Sequence, residues 1–356
     1  MKYALVGCGR VSPCHMDAAK ENCLEIAALC DLDVEKAQQT ADAYEITPKI
    51  YTDYQDLIDN EDLDLIAIAT DHDKHKEIAL YAIRNGVNVI IEKPIALSLK
   101  DADLLIEEAE NNGVKLTVCH QNRFNKSIQK IREAVEEGRF GKMFYGTTHA
   151  RWNRSDDYYD LADWRGTWAG EGGSLITQCI HSIDLLMWML GDEATEVTAY
   201  TDRLKHKRMV LDDVGFGIVK FKNGSYGVIE STTNVYPENL EGNMYLFGEK
   251  GTVKSGGEAN NRIEVWNFAD GADDPAAVME ENYEIPPNVY GFGHRRLYAD
   301  MIDAVENDRT PYIDGAAGKR ALELIFAMYL STKEHRPVSL PLGDVSSTDF
   351  EGLFED

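Results

Sequence analysis

The sequence predicts an α/β protein in two parts. The first is a doubly wound parallel sheet over residues 1–121, and the second an α+β domain on a largely antiparallel open sheet over 122–356. Three observations carry this. In the first third, short runs apolar at every position alternate with helical periodicity, as buried parallel strands and their crossover helices do. After about residue 122 the strands alternate apolar and polar instead, and two of them meet at Asn223-Gly224, a strong hairpin signal. The length, 356 residues, suits roughly two domains.

The elements follow in order. Residues 3–6 form a strand that runs into Gly7-Cys8-Gly9, and a helix follows to about Lys20. Strands are expected at 24–30, 63–70, 87–91 and 114–119, with helices at 34–44, 75–85 and 98–111 between them. Ser98 and Asp101 read as a capping box, and Gly86 and Gly113 as helix stops. Beyond 122, helices are expected at 128–137, 174–190, 295–307 and 319–333. Strands are expected at 144–150, 214–221, 226–233, 243–247, 251–254 and 262–268. The acidic stretch 270–282 reads as a solvated loop.

Composition narrows the function. Lys and Arg number 36 against 62 Asp and Glu, a net charge of −26. Such a chain is repelled by nucleic acid and by anionic lipid, so neither is expected as a partner. No apolar run reaches the length of a membrane span. The 6 cysteines show no C-x-x-C pair or zinc spacing, which suits free thiols in a reducing cytoplasm, and no metal is expected.

Five places carry candidate chemistry. Gly7, Gly9, Arg10 and Val11 lie between a strand and a helix, where glycines let backbone N–H groups approach a pyrophosphate. Ser12 replaces the third glycine of the usual pattern. Asp31 ends the second strand, where a carboxylate can bind ribose hydroxyls and repel a 2′-phosphate. Thr70, Glu92, Lys93 and Gln121 also stand at strand ends, where ligands of such sheets bind. Lys93 would project into that crevice, or remain an ordinary surface lysine. On the helix from Ser174, the residues Thr177, Gln178 and His181 share a face. Asp184, one turn on, would orient His181 or simply adjoin it. Segment 123–165 is relatively basic, and its Arg123, Tyr158, Tyr159, Trp164 and Arg165 suit an anionic small ligand. The tyrosines and tryptophans there would be either core anchors or a stacking platform. His72 and His75 flank Asp73 as a helix start rather than a metal pair.

In combination these motifs resemble the Gfo/Idh/MocA oxidoreductases. The resemblance rests on G-C-G-R at 7–10, C-D-L-D at 30–33, A-T-D-H-D-K-H at 69–75, E-K-P at 92–94 and G-G-S-L-I-T-Q-C-I-H-S-I-D at 172–184. It implies a Rossmann domain, NAD as cofactor, and Lys93 and His181 flanking a reacting carbinol. Gly7, Gly9, Arg10, Val11, Asp31, Thr70, His75, Glu92, Lys93, Gln121, Trp164 and Arg165 would then serve the cofactor. Lys93, Arg123, Tyr158, Tyr159, Thr177, Gln178 and His181 would serve the substrate. A homodimer or homotetramer is implied too, because an open sheet needs covering.

Within the family, H-Q-N-R at 120–123, Tyr158-Tyr159, W-R-G-T-W at 164–168, Gln178 and His181 resemble the UDP-N-acetylglucosaminuronate 3-dehydrogenases. The expected reaction is hydride transfer from a sugar carbinol, at C3 of a UDP-linked uronate. The alternative is a dehydrogenase of a free polyol or sugar such as inositol or glucose. Polyol branches usually carry Asp where this chain has Thr177, which disfavours that alternative. A third class, a non-catalytic NAD-binding sensor or scaffold, is disfavoured by Lys93 and His181 together.

Overall fold

The computed structural model describes residues 1–285 and 291–355. It divides into two units, Met1–Gln121 with Phe292–Lys319, and Asn122–Gly291 with Arg320–Asp356.

The first unit runs β1 (Lys2–Val6), α1 (Ser12–Glu21), β2 (Glu25–Cys30), α2 (Val34–Ala43), β3 (Lys49–Tyr51), α3 (Tyr54–Asn60), β4 (Leu65–Ile68), α4 (His75–Arg84), β5 (Asn88–Ile91), α5 (Leu99–Asn112) and β6 (Leu116–Val118). Its sheet has the order β3-β2-β1-β4-β5-β6, and every pairing is parallel. Strand order reverses between β1 and β4, the place where open α/β sheets bind ligands. The apolar runs are buried as expected: all four residues of β4 are inaccessible. Ser98 caps α5 by accepting from the Asp101 amide at 3.1 Å, and Gly113 ends it in the left-handed region at φ 67°.

β3 and α3 were not expected. β3 is three residues long and lacks a buried position, so it leaves no apolar run to read. α3 is marked by its cap, Asp53, which accepts from the Gln55 amide at 2.7 Å, and by the buried pair Leu57 and Ile58.

The second unit contains α6 (Lys126–Glu136), β7 (Met143–Arg151), α7 (Asp156–Tyr159), a five-residue π-helical turn (Leu175–Cys179) and α8 (Ile180–Leu190). β8 (Ala194–Asp202), β9 (Val214–Phe221), β10 (Tyr226–Thr232), β11 (Glu241–Gly248), β12 (Gly251–Gly256), β13 (Arg262–Phe268) and α9 (Pro275–Glu281) follow. Then come α10 (Gly293–Glu306), α11 (Gly315–Glu334) and β14 (Val338–Ser339). The second sheet has the order β13-β12-β11-β7-β10-β9-β8-β14. Only β7–β10 is parallel among these pairs. The β9–β10 hairpin turns at Asn223-Gly224 as expected, with Gly224 at φ 85°.

One face of this sheet packs on α8. Gly146 and Gly227 allow the contact: a Cβ on either would meet Leu186 at 2.9 and 3.2 Å. The stretch 270–282 is not a loop throughout. Asp274 caps α9 by accepting from the Ala276 amide, and Val278 is its one buried residue, so a cap and a single apolar anchor sufficed to fold a segment of high charge. The chain also returns to the first unit at Phe292–Lys319 rather than staying with the second. Isolated pairing of Thr117 with Asp314, and a Thr117 hydroxyl donating to the Ile313 carbonyl at 2.6 Å, fix this return on β6.

Candidate functional site

In the first unit the strand ends come together as expected. Gly7 sits at φ 97°, and a Cβ there would lie 2.5 Å from the Ala69 carbonyl oxygen, so no side chain fits between the ends of β1 and β4. At Gly9 a Cβ would meet nothing within 4 Å, so the turn opens onto free space at the start of α1. Arg10 is exposed and Val11 partly so. Asp31 accepts from the Cys8 amide at 2.8 Å and the Asp33 amide at 2.9 Å, which pins its carboxylate at the end of β2 beside the glycine turn. An open glycine turn, a helix start and a fixed carboxylate fit the phosphates and ribose of a dinucleotide.

Lys93 follows β5 and is half-buried, ahead of a cis Lys93–Pro94 bond. Two residues expected at the cofactor, His75 and Glu92, are buried beside it. His75 is fully buried, and its Nδ1–H donates to the Pro94 carbonyl at 2.7 Å. Burial pushes its pKa down, so the ring is neutral and supports the turn that carries Lys93. Glu92 is buried too, and its Oε1 accepts from Nε2 of His15 at 3.1 Å and of His294 at 3.0 Å. Burial alone would raise its pKa, but the two ring donors outweigh it and hold the carboxyl well below its ordinary range. His15 is kept neutral by burial, and its Nδ1 pairs with the Tyr298 hydroxyl at 2.7 Å, which meets that of Tyr3 at 2.9 Å. Ligand-type atoms of His15, Glu92, Cys119 and His294 lie within 4.8 Å of one another. The hydrogen bonds account for that grouping. His294 and Tyr298 arrive on α10, 202 residues after Glu92 in the case of His294, and nothing local in the sequence announces them. Thr70 is half-buried past β4, and Gln121 is buried past β6.

The second unit assembles the other expected residues. Thr177 and Gln178 lie on the π-helical turn and His181 on α8, all three buried. The sequence suggested one regular helix here. The π turn widens the backbone at this point, a device frequent at functional sites. Gln178 Nε2 donates to the Tyr158 hydroxyl at 2.8 Å, and Arg165 Nη1 donates to the same oxygen at 2.5 Å. The Arg165 guanidinium also lies 4.4 Å from the ring centres of both Tyr158 and Trp164. Arg154 approaches Tyr158 from another side, at 5.2 Å. Thus Tyr158, Trp164, Arg165 and Gln178 form one cationic, aromatic cluster joined to the helix of His181. Thr177 turns its hydroxyl to the Gly173 carbonyl at 3.1 Å.

Three residues take other places. Arg123 is buried and its Nε and Nη2 donate to both oxygens of Asp184, at 2.8 and 2.6 Å, so the expected anion ligand carries a buried carboxylate of its own chain. Asp184 therefore clamps Arg123. Tyr159 is buried against His206, with ring centres 5.1 Å apart, and Trp168 against Tyr329 at 5.2 Å. Both are core anchors.

Residues 1–120 match the model of the oxidoreductase family's NAD-binding Rossmann fold, and 132–340 that of its C-terminal alpha/beta domain. The chain belongs to the Gfo/Idh/MocA oxidoreductases. It is 35% identical to the WlbA dehydrogenase of Bordetella pertussis, solved in complex with NADH and UDP-GlcNAcA. That likeness covers 96% of this chain and 98% of the other, with a TM-score of 0.90. It is 28% identical to D-apiose dehydrogenase of Paraburkholderia graminis, over 95% of this chain and 89% of that one. It is 25% identical to myo-inositol 2-dehydrogenase of Thermotoga maritima, over 96% of this chain and 98% of that one. As a Gfo/Idh/MocA protein it is an NAD-dependent oxidoreductase, and the turn at Gly7–Gly9 with Asp31 suits that cofactor.

Proposed function

We propose that this protein is an NAD-dependent dehydrogenase of a UDP-linked sugar uronate, oxidising the C3 carbinol. The likeness to WlbA over nearly the whole of both chains carries this reading. The cluster of Tyr158, Trp164, Arg165 and Gln178 supports it, because guanidinium and aromatic faces suit a diphosphate and a base. NAD, when bound, accepts the hydride of the C3–H bond. The chain's own residues handle the hydroxyl proton. Lys93 holds the hydroxyl, and His181 accepts or relays its proton, leaving a ketone. The glycine turn and Asp31 bind the cofactor, with Thr70 and Gln121 beside it. Arg165, which the resemblance placed at the cofactor, is read here as holding the anionic part of the substrate, because it shares the Tyr158 hydroxyl with Gln178. His75 and Glu92 support the Lys93 turn, and no metal takes part.

The test is NADH formation at 340 nm with UDP-GlcNAcA, myo-inositol and glucose. Turnover with UDP-GlcNAcA alone is expected. The apiose and inositol dehydrogenases among the relatives favour a second reading, a free-sugar or polyol dehydrogenase. Saturable inositol oxidation without any response to UDP-GlcNAcA would establish that one.

A second copy of the chain completes the proposal. The sheet face away from α8 exposes Tyr200, Phe216, Ile218, Tyr226 and Val228, an apolar surface that a dimer or tetramer would cover. Among the described residues no helix is long and apolar enough to cross a membrane, and the proposed place of action is the cytoplasm, where NAD and nucleotide sugars meet.

A further inference from the structure

We infer that Asp212 is a positioning residue: its buried carboxylate caps the turn of Thr177 and Gln178 from below and holds that turn, with His181 behind it, in register for the substrate. Asp212 is wholly inaccessible. Its Oδ1 accepts from the Ser174 amide at 3.0 Å and from the Tyr329 hydroxyl at 2.7 Å, and its Oδ2 accepts from the Leu175 amide at 3.1 Å. The helical stretch has no capping side chain of its own at Ser174. A residue 38 positions away supplies the cap instead. Gly173, at φ 131°, lets the chain pass beneath the Tyr329 hydroxyl, where a Cβ would come within 2.1 Å of that oxygen.

The neighbouring Asp213 anchors Asp212 in place. It accepts from the amides of Leu204, Lys205 and His206 at 2.9, 2.8 and 3.0 Å, so the pair of aspartates ties two turns to one strand end. The two carboxyls differ in character. Asp213 is held well below the usual range by His206 and those amides, which outweigh its burial. Asp212 is met by neutral donors, and burial pushes it up to about 6. A carboxylate at a helix N-terminus is favoured by the dipole, but this one is ionised at neutral pH against its burial. Tyr329 on α11 and Tyr159 on α7 face it, both pushed well above neutrality by burial, and the buried Glu171 and Cys179 adjoin those tyrosines. Between pH 5 and 8 Asp212 therefore changes charge.

The sign follows from linkage. A carboxyl whose folded pKa is raised contributes stability at acid pH, and that contribution is lost as pH rises through about 6. Asn at this position removes the loss while weakening the cap. A merely structural cap would give the same pH dependence, so positioning is read from KM and kcat at unchanged NAD affinity.

The inference rests on the reading of Gln178 and His181 as substrate contacts, so the experiment includes readouts that need no substrate. Asp212→Asn and Asp212→Ala are compared with wild type by thermal melting from pH 5 to 8, by hydrogen exchange of peptides over 174–181, and by kinetics with UDP-GlcNAcA. The Asn variant's melting temperature relative to wild type should rise between pH 5 and 8. Exchange over 174–181 should quicken roughly fivefold, the scale of one lost cap. KM for UDP-GlcNAcA should rise or kcat fall while NAD affinity is unchanged. Unaltered exchange over 174–181, or unaltered KM and kcat in the Asn variant, would overturn the inference, and the Asn variant decides it even if the Ala variant does not fold. Wild type inert toward UDP-GlcNAcA would sink the proposed substrate, whereas exchange and the pH margin would still decide the cap.

Discussion

Lys93 is held at its place by buried residues on either side of it. The buried Glu92 carboxylate takes hydrogen bonds from His15 and His294 on one side of it, and His75 binds the Pro94 carbonyl on the other. A turn so fixed suits a lysine that must act on one atom. Replacing Lys93 by Met should lower kcat by about 10²–10⁴-fold, the usual effect of removing a positioned acid–base group. Calorimetric NAD affinity should stay near wild type, and an unchanged kcat would take Lys93 out of the mechanism. Asp31 sets a second expectation. Its carboxylate is fixed by two backbone amides and cannot swing away from a 2′-phosphate. At a few ångströms the repulsion is about 1–4 kcal/mol, so NADP should bind at least roughly fivefold more weakly than NAD. Equal affinities in paired titrations would refute this. The residues legible in the sequence were those that mark strand ends: Gly7, Gly9, Asp31 and Lys93. The supporting shell was not legible. His15, His294 and Tyr298 meet Glu92 only through the fold, and Arg123 read as an anion ligand because Asp184 lies far from it in sequence.

At the scale of elements, period and caps carried most of the information. Buried parallel strands and the β9–β10 hairpin emerged from pattern alone, whereas three-residue β3 and the charged α9 fell below what a pattern can show. The π turn at Leu175–Cys179 was hidden for a different reason. Its residues are all buried, so no alternation between apolar and polar faces betrays where the backbone widens. Gly173 is the residue on which that turn depends. Gly173→Ala places a methyl where the Tyr329 hydroxyl stands and forces a left-handed residue to carry a Cβ. The combined strain is about 2–4 kcal/mol. Urea unfolding should show a loss of that size, and activity should fall further than stability alone explains. A variant as stable and active as wild type would show that the turn tolerates a shift and that its register is not critical.

For the molecule as a whole, the domain boundary near residue 121 could be read, but the return of Phe292–Lys319 to the first unit could not. Helical periodicity in α10 shows that a face is buried without showing against what. The same limit applies to the open sheet, where the question is what covers it. On β9 every second residue is buried, while Phe216 is 48% and Ile218 58% exposed. Cross-strand register turns these into a continuous surface: Ile218 pairs with Thr198 on β8 and with Val228 on β10, and Phe216 pairs with Tyr200. Tyr226 pairs in turn with Tyr145 on β7, and the Tyr145 ring stacks on Phe247 at 4.5 Å. A row of charge borders the patch, with Arg151 bridging Glu230 and Glu241 at 2.7 and 2.5 Å. An apolar centre with a polar border has the anatomy of a protein interface, and a self-complementary face favours a twofold pairing of identical chains. The purified protein should therefore elute as a dimer or tetramer by light scattering at micromolar concentration. Ile218→Glu should set like charges across the twofold and shift the mass toward the monomer, leaving NAD binding in the first unit intact. A wild-type monomer at every concentration, or an Ile218→Glu variant of unchanged mass, would mean that this face is not where the copies meet.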